Sequence, residues 1–147
     1  MSYWIFQGNP EKSDILSFLQ KGDYWIKKNG YWAAKQKKEL MEIGDIAYFW
    51  KSGNKGGQAG IYGTTHLVSK YKYIPNQKFG DYYVKLQIDK YLGEKYISRY
   101  QCKENSILSN SNFMKFNQWT NYLLTVEEVE EIKKLLASKI TNSNNTL

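Results

Sequence analysis

Leu40-Met41-Glu42-Ile43-Gly44-Asp45-Ile46-Ala47-Tyr48-Phe49-Trp50-Lys51-Ser52-Gly53-Asn54-Lys55-Gly56-Gly57-Gln58-Ala59-Gly60-Ile61-Tyr62-Gly63-Thr64-Thr65-His66 reads as two apolar strands facing each other across a glycine-rich loop. The turn Glu42-Ile43-Gly44-Asp45 feeds the apolar run Ile46 to Trp50, and Ala59 to Gly63 opens the returning strand. Glycine inside a strand weakens its ladder, so Gly60 and Gly63 mark places where another group approaches the backbone closely. The pattern sets aromatic rings beside bare backbone.

On the N-terminal side, Tyr3 to Gln7 is a compact apolar strand ended by Gly8-Asn9-Pro10, because proline cannot continue a ladder. Trp4 and Phe6 point the same way along it and are expected in the core. Ser13 or Asp14 can cap a helix carrying Ile15, Leu16, Phe18 and Leu19 at helical spacing, with Gly22 placed to end it. Trp25 and Trp32 then bracket Lys27-Lys28-Asn29-Gly30, a tight-turn signal, and Lys35 to Met41 reads as a short basic helix.

On the C-terminal side, Ser69 to Tyr73 and Tyr82 to Ile88 alternate as strands around a loop holding Pro75, Asn76 and Gly80. Residues 90 to 115 carry no clear period. Leu123-Leu124 is a short extended piece, and Thr125-Val126-Glu127-Glu128 has the spacing of a capping box. Val129, Ile132, Leu135 and Leu136 give the closing helix an apolar stripe, and the polar residues past Ala137 read as a frayed tail, 138–147. One domain over residues 1–137 is expected, an α+β open barrel of about five to seven strands flanked by two or three helices.

Composition narrows the function classes. Twenty-one basic against fourteen acidic side chains leave a charge of +7, which favours a polyanionic partner but is also common on surfaces that serve only solubility. Aromatic residues make up 16% of the chain, and tyrosines interleaved with lysines suit surfaces that stack bases while holding phosphates. The N-terminus has neither a basic leader nor a long apolar run, so the cytoplasm, with no membrane segment, is the expected compartment.

Catalysis finds little support in these residues. His66 and Cys102 are the single histidine and cysteine, and neither sits in a nucleophile signature. No spacing for a metal site occurs, and the loop from Ser52 to Gly57 lacks the Gly-Lys-Ser/Thr ending of a phosphate-binding loop. The acidic residues gather on the closing helix, where a solvated face accounts for them. No enzyme, no cofactor and no metal are expected.

Ile43-Gly44-Asp45, Tyr48 to Gly53 and Gly60 to Gly63 together resemble the central signature of the EVE domain, a family of the PUA-like superfamily related to YTH domains. Tyr3 to Pro10 resembles the opening strand and turn, and Trp32 stands ahead of the Gly-Asp turn as the family's tryptophan does. Phe116 to Tyr122, followed by Leu124-Thr125, resembles the closing segment. The likeness covers roughly residues 3 to 137.

This resemblance implies a PUA-like barrel that binds DNA or RNA through an aromatic pocket for one flipped, methylated or otherwise modified base. A base leaving its stack must regain stacking energy on a ring and have its edge read by fixed polar groups. Trp32 is expected as a wall of that pocket, with Trp25 as its rival and Trp50 at the rim or in the core. Ser52, Gly53 and Gly60 are placed to read a base edge, or the glycines serve turn geometry alone. Thr120 and Asn121 match the family's Thr-Asn beside the cavity, or form a local turn. Lys27, Lys28, Lys35, Lys37 and Lys38 are the expected phosphate contacts. Trp119 departs from the small residue the family carries there. A lone reader of this kind needs an effector protein partner. The alternatives are a PUA-type RNA module indifferent to modification, or a barrel that binds a nucleoside or other small molecule.

Overall fold

A computed structural model describes residues 1–9, 31–53, 57–116 and 118–145 of the chain. The helix expected after Pro10, the Asn29-Gly30 turn, Trp25, Lys27 and Lys28 lie outside them. The described strands are β1 (Tyr3–Gly8), β2 (Tyr31–Ala33), β3 (Ile46–Lys51), β4 (Gly60–Leu67), β5 (Lys72–Gln77), β6 (Gly80–Tyr91), β7 (Ile97–Ser98) and β8 (Asn121–Leu123). They form one eight-stranded sheet, more than the number expected, in the order β2-β6-β4-β3-β1-β8, with β5 on β6 and β7 on β4. β1 and β3 run parallel; the other pairs are antiparallel.

Strand alternation sorts the apolar side chains into two cores. Trp4, Phe6, Ala47, Phe49, Leu67, Val84 and Leu86 fill the inside of the curl, as expected of Trp4 and Phe6. Their neighbours Ile5, Tyr48, Trp50 and Ile61 point outward, where helices cover them together with Cys102, Leu108, Phe113, Val129 and Ile132. The covering helices are α1 (Arg99–Glu104), α2 (Asn112–Lys115) and α3 (Val126–Asn145). Burying both faces of the sheet explains the continuous apolar run from Ile46 to Trp50, which lacks the alternation of a half-solvated strand.

The two ends of the sheet path, β2 and β8, are joined by side chains. Asn121 Nδ2 donates to the carbonyl of Ala33 (3.1 Å) and its Oδ1 accepts from the Lys35 N–H (2.6 Å). Gln36 Oε1 accepts from the backbone N–H groups of Thr120 and Asn121, at 3.1 Å each. These amides replace the ladder that the two short strands do not make and clasp the curl into a barrel.

Asp45 performs a similar task below the barrel. Its buried carboxylate accepts from Ser2 N, Glu42 N and Trp4 Nε1 at 2.9, 3.0 and 3.0 Å, tying the chain start, the turn and a core indole together. Gly44, at φ 94°, makes the left-handed bend that brings its N–H to the Leu67 carbonyl. The Gly-Asp signature is therefore a structural joint.

Several boundaries differ from expectation. The basic segment Lys35 to Met41 holds only a 3-10 turn, Lys38–Leu40, entered through Lys37 at φ 56°. β5 starts later than Ser69 and includes Pro75, which a strand paired on one side tolerates. The Thr125–Glu128 capping box is present, Glu128 Oε1 accepting from Thr125 N and Thr125 Oγ1 from Glu128 N. Helix α3 runs on to Asn145, past the end expected at Ala137, with Ser138 Oγ donating back to the Leu135 carbonyl instead of breaking the turn.

Candidate functional site

The C-terminal end of β1 is the place where the expected site segments meet. On one side Gln7 N donates to the Thr120 carbonyl (2.8 Å); on the other, Ser52 N and Ser52 Oγ both donate to the Gly8 carbonyl, at 2.9 and 3.2 Å. Gly53, exposed and at φ 72°, lies beside Asn9. Thr120, Gly8, Asn9, Ser52 and Gly53 thus form a polar, backbone-rich edge at one end of the barrel. Thr120 is half-buried there.

Trp32 supplies a ring from β2. It pairs with Val84 of β6 and sets its indole edge-on against Phe49 inside the barrel, centroids 4.8 Å apart at 84°. Phe6 packs on the other side of Phe49 (6.2 Å, 60°). Trp4 and Trp50 are 0% and 4% exposed, whereas Trp32 is only partly buried against the same apolar cluster. Trp32 is thus a partly exposed indole whose orientation the Phe49 contact helps to fix.

Trp50 is not at this rim. Alternation along β3 turns Trp50 outward against Phe113 (5.3 Å) under the helices, and the ladder shift from Phe49–Gly63 to Trp50–Ile61 leaves Tyr62 extra on β4. That indole is core. Asn121 shares the end of the barrel with Thr120, but its amide is committed to the β2–β8 clasp and only 1% of the residue is exposed. Gly60 is buried too: a Cβ there would stand 2.2 Å from the Ile97 carbonyl oxygen, so its missing side chain admits β7 and not a base edge. The expectations that Trp50, Asn121 and Gly60 face a base are corrected by these placements.

The bulge adds residues that sequence reading passed over. Tyr62, turned inward, stacks on Tyr96 (4.3 Å, 12°) and donates its hydroxyl to the Gln58 carbonyl (2.6 Å). Lys51 is wholly buried beside it, its ammonium donating to the carbonyls of Gly53 (3.3 Å) and Gly57, 5.4 Å from the centre of the Tyr62 ring. Burial lowers the Lys51 pKa, while the carbonyls and the ring face favour its charged form. Burial, followed by the neighbouring Tyr96, pushes the Tyr62 hydroxyl upward. Lys51 and Tyr62 therefore pin the two ends of the glycine loop over the barrel end. The signal in the sequence was the apolar strand ending in lysine, which a solvated strand terminus explains equally well.

The expected phosphate contacts divide. Lys35 and Lys37 are exposed beside the clasp, whereas Lys38 folds back, pairing with Glu39 (3.1 Å) and covering the Tyr82 ring (4.6 Å). His66 is paired with Asp89 (2.9 Å), and Cys102 is buried in the helix-side core with its thiol pushed up to about 12. A cavity of about 190 Å³ between α2, β8 and α3 is lined by Ser111, Phe113, Tyr122 and Glu128 among others and by no lysine or arginine, so it does not suit a phosphate. Among the described residues no three metal-ligating side chains cluster, and no helix is long and apolar enough to cross a membrane.

A model of the EVE domain family matches residues 2–140 of the chain. No curated protein matches it. The fold is that of several solved structures at low identity. Rpa0253 from Rhodopseudomonas palustris superposes with a TM-score of 0.71 at 19% identity, covering 93% of this chain and 94% of its own. Human THYN1, solved in complex with DNA containing 5-methylcytosine, gives 0.65 at 18%, covering 95% and 98%. The YTH domain of Zygosaccharomyces rouxii MRB1, solved with N6-methyladenosine RNA, gives 0.52 at 15%, covering 91% and 86%.

Proposed function

The chain belongs to the EVE domain family, and on that premise we propose that it binds nucleic acid and captures one flipped, modified base at the end of β1. The observation that carries the reading is Trp32, an indole packed against Phe49 inside the barrel and only partly buried. A base outside its stack needs a ring to lie on and fixed polar groups to meet its edge, and Trp32 is the ring this reading assigns. A methyl on the base adds apolar area worth up to ~0.8 kcal/mol if fully buried, on top of stacking worth about 1–3 kcal/mol. Two structures of similar fold, human THYN1 and the MRB1 YTH domain, are complexes with methylated nucleic acids, which supports methylated cytosine or adenine as the first bases to try.

Recognition, not catalysis, is the activity in this reading, and an effector protein converts binding into a consequence. The exposed Lys35 and Lys37 hold phosphates next to the base. The test is a titration of single- and double-stranded DNA and RNA, plain or carrying 5-methylcytosine or N6-methyladenine, at two salt concentrations. The expected result is tighter binding of one modified oligonucleotide, with a salt dependence set by phosphate contacts. Equal affinity for modified and plain partners overturns the proposal.

A further inference from the structure

The β5–β6 hairpin carries rings that neither core uses. β5 hangs on β6 alone, outside the main strand path, and its side chains are exposed apart from the partly buried Ile74. Tyr82 lies at the centre of a tyrosine cluster, 5.7 Å from Tyr71 and 5.6 Å from Tyr73 by ring centroids. Tyr73 is 64% exposed, Tyr82 37% and Tyr71 36%, and none of them belongs to either apolar cluster. Edge strands are ordinarily blunted with charge and short length, so three open rings clustered at and beside one form an exposed apolar patch that a partner would cover.

Charge identifies that partner. The hairpin segment 70–85 holds Lys70, Lys72, Lys78 and Lys85 against Asp81 alone. The nearby carboxylates of Glu39 and Glu42 are already paired with Lys38 and Lys70, at 3.1 and 3.3 Å. Lys38 lies over Tyr82, and on the reverse face Lys72 and Lys85 flank the Tyr31 ring at 5.7 and 5.4 Å. Alternation in Tyr71-Lys72-Tyr73 thus sets rings on one side of β5 and a cation on the other. An acidic protein surface would satisfy the lysines but waste the rings. A duplex would satisfy the lysines and hide its base faces.

We propose that Tyr71, Tyr73 and Tyr82 form a stacking track for single-stranded nucleic acid, with Lys38, which lies over the Tyr71 and Tyr82 rings, as the cation beside its phosphates. β6 joins the track to the barrel, since Val84, two residues beyond Tyr82, is the ladder partner of Trp32. The track rests on the reading of the chain as a nucleic-acid binder but not on its capture of a modified base.

The test uses the full chain and labelled oligothymidylate, which is unmodified and does not pair with itself, alongside a blunt DNA duplex. Replacing Tyr71 and Tyr73 together by alanine should weaken oligothymidylate binding at least about five-fold, and replacing both by phenylalanine should leave it within about two-fold. Duplex affinity should not change. The track is refuted if the folded alanine variant binds oligothymidylate as tightly as the parent, or if the parent binds the duplex just as well. Loss of modified-base preference in Trp32→Ala with an unaffected track variant leaves the pocket standing and removes the track. A five-fold loss in the track variant, in a chain indifferent to modification, does the reverse.

Discussion

Asn121 acts on the fold as an extra length of strand, because its amide offers a donor and an acceptor in the geometry of a peptide group. Its partners, Ala33 O and Lys35 N, lie 88 and 86 residues away in sequence. Removing the amide leaves two backbone groups without their bond, and a buried unsatisfied group costs roughly 1–3 kcal/mol. Asn121→Ala should therefore lower unfolding free energy by about 2 kcal/mol or more, measured by urea denaturation. A Thr-Asn pair was visible in the sequence, but its task was not: nothing local in Thr120-Asn121 announces a bond to residue 33. Trp32 differs in kind. Its position ahead of the Gly-Asp turn was legible, and the structure supplies the contact with Phe49 that orients it. Lys51 was illegible for the same reason as Asn121, since its buried ammonium is held by loop carbonyls that only the folded loop brings round.

Strands with an apolar run or alternation were readable one by one, and β1, β3, β4 and the body of β6 fall where their residues predict. The region 90–115 was not, because its elements are too short to show a period: β7 has two residues, α1 six and α2 four. They persist through contacts with distant partners, Ile97, Cys102, Leu108 and Phe113 all joining the core beneath the sheet. The capping box of α1, in which Ser98 and Gln101 exchange bonds, was readable in principle as a serine three residues ahead of a glutamine. Gly60 ties this region to the sheet. In Gly60→Ala the new methyl collides with the Ile97 carbonyl, so β7 must leave β4. The expected cost is about 1–3 kcal/mol, with amide exchange faster at Ile97 and Ser98 than elsewhere in the sheet. Tyr62 belongs to the same lesson: a single bulge on β4 opposite Phe49 and Trp50 turns its ring inward, and bulges leave little trace in sequence.

Across the molecule as a whole, the buried titratable groups among the described residues act mainly in one direction. Burial raises the Cys102 thiol to about 12, and burial followed by Tyr3 raises the Tyr48 hydroxyl to about 12; Tyr62 and Tyr122 are raised as well. The unfolded chain releases these protons earlier, near 8.5 for cysteine and about 10 for tyrosine, so it binds fewer protons than the folded one in the interval. Stability therefore falls as pH rises from about 8.5 towards 12. Lys51 opposes this below about 10.4, since its lowered pKa makes the folded chain the earlier to release a proton. With four groups against one, urea midpoints should decline steadily above pH 9. The same burial makes Cys102 inert, and iodoacetamide at pH 8 should label it only after denaturation.

The barrel architecture was legible as a whole, because four separated segments carry one family pattern. In the proposed function, recognition turns on Trp32. Its substitution by alanine removes the stacking face while Phe49, Phe6 and the clasp keep the barrel closed. The most direct measurement is the ratio of affinities for an oligonucleotide with one methylated cytosine or adenine and its plain counterpart, in the parent and in Trp32→Ala, each checked for fold by circular dichroism. The account predicts a ratio well above one in the parent that collapses to about one in a folded variant, a loss of roughly 1–3 kcal/mol of stacking. A parent that binds both oligonucleotides alike, or a folded Trp32→Ala that keeps the full preference, would contradict it.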